Sequence, residues 1–165
     1  MTAHPSPETL PFLDLRPDEK ISSVWRPEFR FFLAKLCFVS SLTALCLGTG
    51  MRVGTGISNP LLWLGAFILS AAVYAFIFDD FLEWRARKGD VWVLTNMHLV
   101  YFNPNDETSP AAVPLSAIET VSGWMFWGVR VRLVPRDQLM MLFLADRTTV
   151  RDTIRAHLPP KETTK

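Results

Sequence analysis

Apolar positions fall into three regimes along this chain. From Phe31 to Met51 they run almost unbroken, with Lys35 the single charge. From Leu61 to Phe78 eighteen residues, LLWLGAFILSAAVYAFIF, carry no charge at all. A helix rises about 1.5 Å per residue, so each run covers most of a hydrocarbon core roughly 30 Å thick. Two such runs predict a transmembrane helical hairpin over residues 31–88, with GTGMRVGTGISNP as a short turn between the spans. The second helix is expected to continue through DDFLEWRARKGD and to stop near Gly89.

After Asp90 the period falls to two. VWVLT and HLVYF read as strands joined by a tight turn at Asn96-Met97. AAVPLSAIETV reads as a strand leading into a bend. In GWMFWGVRVRLV, Val129, Val131 and Leu133 alternate with Arg130 and Arg132, and DQLMMLFLA follows as another strand. The chain then returns to helical spacing: Asp146 as N-cap, Val150, Ile154 and Leu158 as an apolar stripe, and Pro159-Pro160 as the stop. Several antiparallel strands followed by one amphipathic helix predict a small barrel or bent sandwich capped by a C-terminal helix. The fold class is therefore α+β. Residues 1–30 form a tail and short extended lead-in, 31–88 the hairpin, 89–158 the β-rich domain and 159–165 a second tail.

Charge sets the orientation. Arg26, Arg30 and Lys35 flank the first span, Arg52 alone sits in the connector, and Arg85, Arg87 and Lys88 follow the second span. Three, one and three place both termini in the cytoplasm and the connector outside. No cleavable signal is visible, so the first span is read as an uncleaved insertion signal. Asp79, Asp80 and Glu83 lie where hydrocarbon would meet headgroups. They are read as the helix's exit into water, paired with Arg85, Arg87 and Lys88, in preference to a proton or cation site.

The overall charge is +1, and it is even in sign: five basic and five acidic residues in 1–35, eleven of each in 79–165. That balance gives no support to a nucleic-acid backbone or to anionic lipid as a partner, because a surface for either shows an excess of one sign, and only a local patch formed by folding would change this; no nucleic-acid partner is expected. Cys37 and Cys46, nine residues apart on one helix, cannot bridge and are read as apolar filler.

VWVLTNMHLVYF resembles the opening hairpin of bacterial pleckstrin-homology-like domains, which read aromatic, apolar, leucine-threonine-asparagine, two basic residues, leucine, aliphatic, aromatic. The lead-in from Pro17-Asp18-Glu19-Lys20 to Trp25-Arg26-Pro27 and the segment VPLSAIETV are similar to the same family. The resemblance covers residues 17–158. It implies a seven-strand bent barrel with a C-terminal helix on a membrane hairpin. Some membrane-anchored relatives look like accessory or assembly factors of bioenergetic or photosynthetic complexes. Met97 and His98 stand where the family carries its basic pair, so if that pair serves an anionic ligand in relatives, the resemblance implies that this chain has lost it.

The chemistry-bearing residues give no enzyme. His4, His98 and His157 do not cluster with acids or cysteines at metal-ligand spacing, and no phosphate loop or nucleophile–base pair is legible. No cofactor and no metal are expected. The candidate partner contacts are Trp124, Met125, Phe126 and Trp127, because alternation along a strand leaves one pair outward unless a bulge or turn tucks all four in. A second candidate contact is the stripe Ser40, Ala44 and Gly48, whose small residues let a helix approach closely. That helix is the second span, with Ala71 and Ala75, or a different membrane protein. Arg130, Arg132, Arg136 and Arg147 are the candidate anion patch, against a solvated face paired with Asp137, Asp146 and Asp152. The expectation is an inner-membrane docking module whose partners are the bilayer and another integral membrane protein. The alternative is a lipid or small-ligand sensor using the open end of the barrel.

Overall fold

The computed structural model describes residues 13, 15–56, 59–107 and 110–159. These form two compact units, one helical (Phe29–Ala86) and one β-rich, made of the segments up to Glu28 and from Arg87 onward.

The helical unit contains α1 (Phe29–Thr55), α2 (Pro60–Phe76) and most of α3 (Asp80–Arg87). α1 and α2 run antiparallel: Gly48 meets Trp63, the Thr43 hydroxyl lies 3.0 Å from that of Tyr74, and Lys35 reaches Asp80. Small or polar side chains form the seam, with Ser40, Ala44, Gly48 and Ser70 buried. Large apolar side chains point outward; Leu42, Leu45, Leu47, Leu64, Ile68 and Leu69 are all more than half exposed. α1 is long and apolar enough to cross a membrane. α2 and α3, bent by 51° at their break, make a second such span when counted as one.

Two expectations are corrected here. The glycine-rich stretch after Gly48 is not a turn, because α1 continues through it to Thr55. α2 starts after Asn59, whose side chain caps it by accepting from the Leu61 N–H, with Pro60 opening the helix. The second helix is not continuous either. It breaks at Asp79, whose φ of 58° is left-handed, a conformation Asp tolerates better than most residues.

Among the described residues the β-rich unit holds seven antiparallel strands in two sheets. One has the order β1 (Ile21–Trp25), β2 (Val91–Thr95), β3 (His98–Phe102), β4 (Ala111–Pro114); the other runs β5 (Ile118–Trp124), β6 (Gly128–Leu133), β7 (Gln138–Leu142). The lead-in is thus part of this unit, since β1 pairs with β2, with Val24 opposite Val93. A single core joins both sheets to α4 (Arg147–His157). Trp92, Leu94 and Leu99 come from the first sheet, Val121, Val129, Val131 and Met141 from the second, Val150 and Ile154 from the helix. Asp146 caps α4 by accepting from the Thr148 and Thr149 N–H groups. Arg155 locks it on β5, donating Nε and Nη2 to the Val121 carbonyl at 3.0 and 2.7 Å. Among the described residues the sheets do not close into a barrel: β4 is bonded only to β3 and β7 only to β6.

Candidate functional site

Of the four residues singled out at WMFW, the structure separates two outward from one inward. β5 ends at Trp124, which pairs with Gly128, and Met125–Trp127 form the turn of the hairpin. Gly128 is obligatory there, since a Cβ would lie 2.9 Å from the Met141 carbonyl. Trp124 is 39% exposed and Met125 48%. Trp127 is turned in and only 7% exposed, so it is removed from the candidate contact surface. Phe126 is half-buried and packs edge-on to Trp127, ring centroids 4.6 Å apart. The Arg130 guanidinium lies 3.8 Å above the Trp124 ring, a cation–π contact that fixes the indole as a platform. Met125 has φ of 49°, a conformation that a glycine would occupy without strain.

The stripe Ser40, Ala44 and Gly48 is occupied from within. All three are buried, and a Cβ at Gly48 would come within 2.6 Å of the Trp63 ring. Of the two readings of this stripe the structure has the second span as the neighbouring helix, so these residues are the seam between α1 and α2 and leave the list of partner contacts.

The four arginines form no single patch. Arg130 and Arg132 share the outer face of β6 with Trp124 across the ladder. Arg147 lies over Gly123, on the opposite face of β5. Arg136 sits with Arg132 in a shallow groove that also holds Glu119 and Asp137, so acids are mixed among the bases. The acids that follow α2 also take a partner on α1. Lys35 of α1 binds Asp80 at 2.8 Å and Glu83 at 3.3 Å. Arg87 faces Asp90 at 3.9 Å.

Two polar constellations went unread in the sequence. The first is a clasp on the lead-in. Glu19 accepts from the Thr95 hydroxyl at 2.5 Å and lies 2.9 Å from His98 Nδ1. Asn96 accepts from the Lys20 N–H and donates to the Asp18 carbonyl. Burial pushes the Glu19 carboxyl up, but the hydrogen bonds from Thr95 and His98 outweigh it and hold it below the ordinary glutamate value. The threonine and asparagine of the LTN string are thus the residues that bind β1 to the β2–β3 hairpin. The signal was the string itself.

The second is a buried acid. Asp90, 1% exposed, accepts from Asn103 Nδ2 at 2.6 Å and from the Tyr101 hydroxyl at 3.1 Å. Burial raises its pKa against those hydrogen bonds. Burial, with the Asp90 charge behind it, pushes Tyr101 up to about 12. The hairpin register places Val91 opposite Phe102, so Asp90 falls opposite Asn103 one step on. Beside this network a groove of about 360 Å³ opens between β4 and β7, with Trp92, Leu99 and Tyr101 on its floor and Arg87 in its lining. The Trp92 indole Nε1 is buried and has no hydrogen-bond partner among the described residues. No cluster of metal-ligating side chains occurs among the described residues.

No family model, curated protein or solved structure matches the chain.

Proposed function

We propose that the chain is a membrane-anchored docking module. Its β-rich unit is a pleckstrin-homology-like domain, held at the cytoplasmic face of a bacterial inner membrane by a two-span hairpin with both termini inside. It serves as an accessory or assembly factor of a larger bioenergetic or photosynthetic complex. Four strands plus three, with a C-terminal helix on the second sheet, suit that domain type. Outward leucines and phenylalanines over a small-residue seam suit a lipid surround, where large apolar side chains lose nothing by exposure. The lysine and arginine count around the spans supports the orientation.

The observation that carries the docking reading is the hairpin tip. An exposed tryptophan backed by an arginine, next to an exposed methionine in a left-handed conformation, is a costly arrangement for water and a productive one for a partner. Tryptophan and arginine are the residue types enriched among interface residues of large effect. Tethering raises the effective concentration of a weak contact. The test is purification of the full chain from native membranes in mild detergent, followed by mass spectrometry. A stoichiometric partner should co-elute and be lost when Trp124→Ala and Met125→Ser are combined, with the melting temperature unchanged. A partner that survives the double substitution removes the tip from the interface. An alkaline carbonate wash that strips the chain from vesicles removes the anchor.

A further inference from the structure

We propose, resting on the docking reading, that the partner segment received at the hairpin tip is extended and acidic, with carboxylates on alternate residues that meet Arg130 and then Arg132. An apolar side chain at one end of that segment covers Trp124 and Met125.

Charge complementarity carries it. From Thr120 to Arg136 the chain holds three arginines and no acid. Two of them, Arg130 and Arg132, stand on one face of β6, two residues and thus about 7 Å apart. Across the ladder Arg130 is flanked by Ser122 and Met140, and Arg132 by Thr120 and Gln138, so neither neighbouring strand supplies a carboxylate there. Neither arginine forms an ion pair among the described residues. Arg132 shares its shallow groove with Glu119 and Asp137, which dilute its field, whereas Arg130 lies outside that groove. The contact with Trp124 leaves Arg130 usable. A guanidinium over an indole engages its flat face and keeps its edge N–H groups. Of the Arg130 nitrogens only Nε is buried without a partner, so both Nη groups are open to a carboxylate in a bidentate pair. Spacing selects the occupant. Side chains on one face of an extended strand repeat about every 7 Å, the separation of the two arginines. The charges thus run in file back from the tip. A bilayer surface spreads its phosphates in a plane and would meet the hairpin end-on, at Trp124 and Met125, which carry no charge.

The experiment uses the full chain in neutral phosphatidylcholine nanodiscs, with the Trp124 indole N–H signal followed by nitrogen-15 NMR and assigned through Trp124→Phe. The probes are a short peptide of alternating aspartate and threonine ending in leucine, the same peptide with asparagine for aspartate, and an isomer with its aspartates contiguous. The first should shift the indole signal saturably, the second should not, and the third should bind more weakly. Arg130→Gln should weaken the first peptide about tenfold, the loss of one charge-assisted contact, and Arg132→Gln should cost less. Arg151→Gln, on α4 and already paired with Asp152, should change nothing. A signal that the alternating peptide does not move, an equal response to the asparagine or the contiguous peptide, or an Arg151→Gln loss as large as that of Arg130→Gln overturns the acidic segment. So does a shift of the same signal on phosphatidylglycerol nanodiscs without peptide, which would make anionic lipid the occupant. A native partner lost from the Trp124→Ala, Met125→Ser variant but held as tightly by Arg130→Gln as by the parent overturns the acidic segment and keeps the docking reading. A native partner that the double substitution does not release overturns the docking reading itself.

Discussion

The two units of this chain obey opposite packing rules. In the β-rich unit the interior is Val93, Leu94, Val129, Val131 and Ile154, none more than 1% exposed. In the helical unit the interior seam is Ser40, Ala44, Gly48 and Ser70, and the leucines face out. One rule follows from water, which drives large apolar groups inward. The other is what the proposed lipid surround would impose, since in apolar surroundings close backbone approach decides what is buried. The same residue type therefore carries different weight in the two units, and substitution can measure the difference.

The largest contrast is expected from deleting the same kind of side chain twice. Ile154→Ala empties the junction of α4 and the second sheet and should cost about 2–5 kcal/mol. It would appear as lost amide-exchange protection across β5 and β6. Leu42→Ala, on the outward face of α1 and 53% exposed, should leave the protection of α1 nearly unchanged. Equal losses at both positions would mean that the two units share one solvent.

The converse substitution sharpens this. Leu69→Arg puts a charge on the outward face of α2, where Leu69 is 66% exposed. On a protein facing water it would be harmless. On a lipid-facing helix it should cost about 3 kcal/mol of insertion free energy if the position lies near mid-membrane. A glycosylation-based insertion assay reads the fraction of chains that span.

A smaller effect belongs to the β-rich unit alone. Asp90 is raised above the ordinary aspartate value by burial, so the folded chain holds its proton to higher pH than the unfolded chain does. Stability from that site is full below the unfolded pKa and is lost as pH rises through the folded one. Asp90→Asn keeps an oxygen for Asn103 and Tyr101 and removes the titration. The variant should gain on the parent as pH rises through that window, and the gap should close toward acid. Glu19, depressed rather than raised, acts in the other direction: its contribution is present above the unfolded value and disappears as pH falls through the folded one. The Asp90→Asn difference, measured by denaturation at several pH values, isolates the first slope from the second.

How much of this was legible follows from the range of each signal. β2, β3, β6 and β7, the α4 stripe of Val150 and Ile154, and the Asp146 cap are local patterns and could be read, whereas β5 was not separated from its neighbours, because WMFW reads as strand where the chain turns. β1 could not be placed by periodicity, because its partner Val93 lies 69 residues on, beyond both long helices. α1 was read too short because its glycines look like a turn, whereas Gly48 is there for Trp63 to pack against. At the candidate site, exposure of Trp124 and burial of Trp127 depend on a three-residue turn that alternation alone does not specify. The apolar groove between β4 and β7 was hidden for a related reason. Arg87, Trp92, Val113 and Leu139 come together only once two sheets share a core.

The smallest expected effect is the most informative about the hairpin tip. Met125 occupies a left-handed backbone conformation that costs a non-glycine residue roughly 1–2 kcal/mol. Met125→Gly relieves that strain but adds chain entropy in the unfolded state, so the net gain in stability should be about 1 kcal/mol or less. If the methionine is there only to fold the hairpin, glycine should be better in every respect. If it is there to be touched, the glycine variant should be at least as stable as the parent while its co-eluting partner dissociates more readily. Denaturation and partner retention measured on the same preparation decide between them, because a purely structural residue cannot move the two in opposite directions.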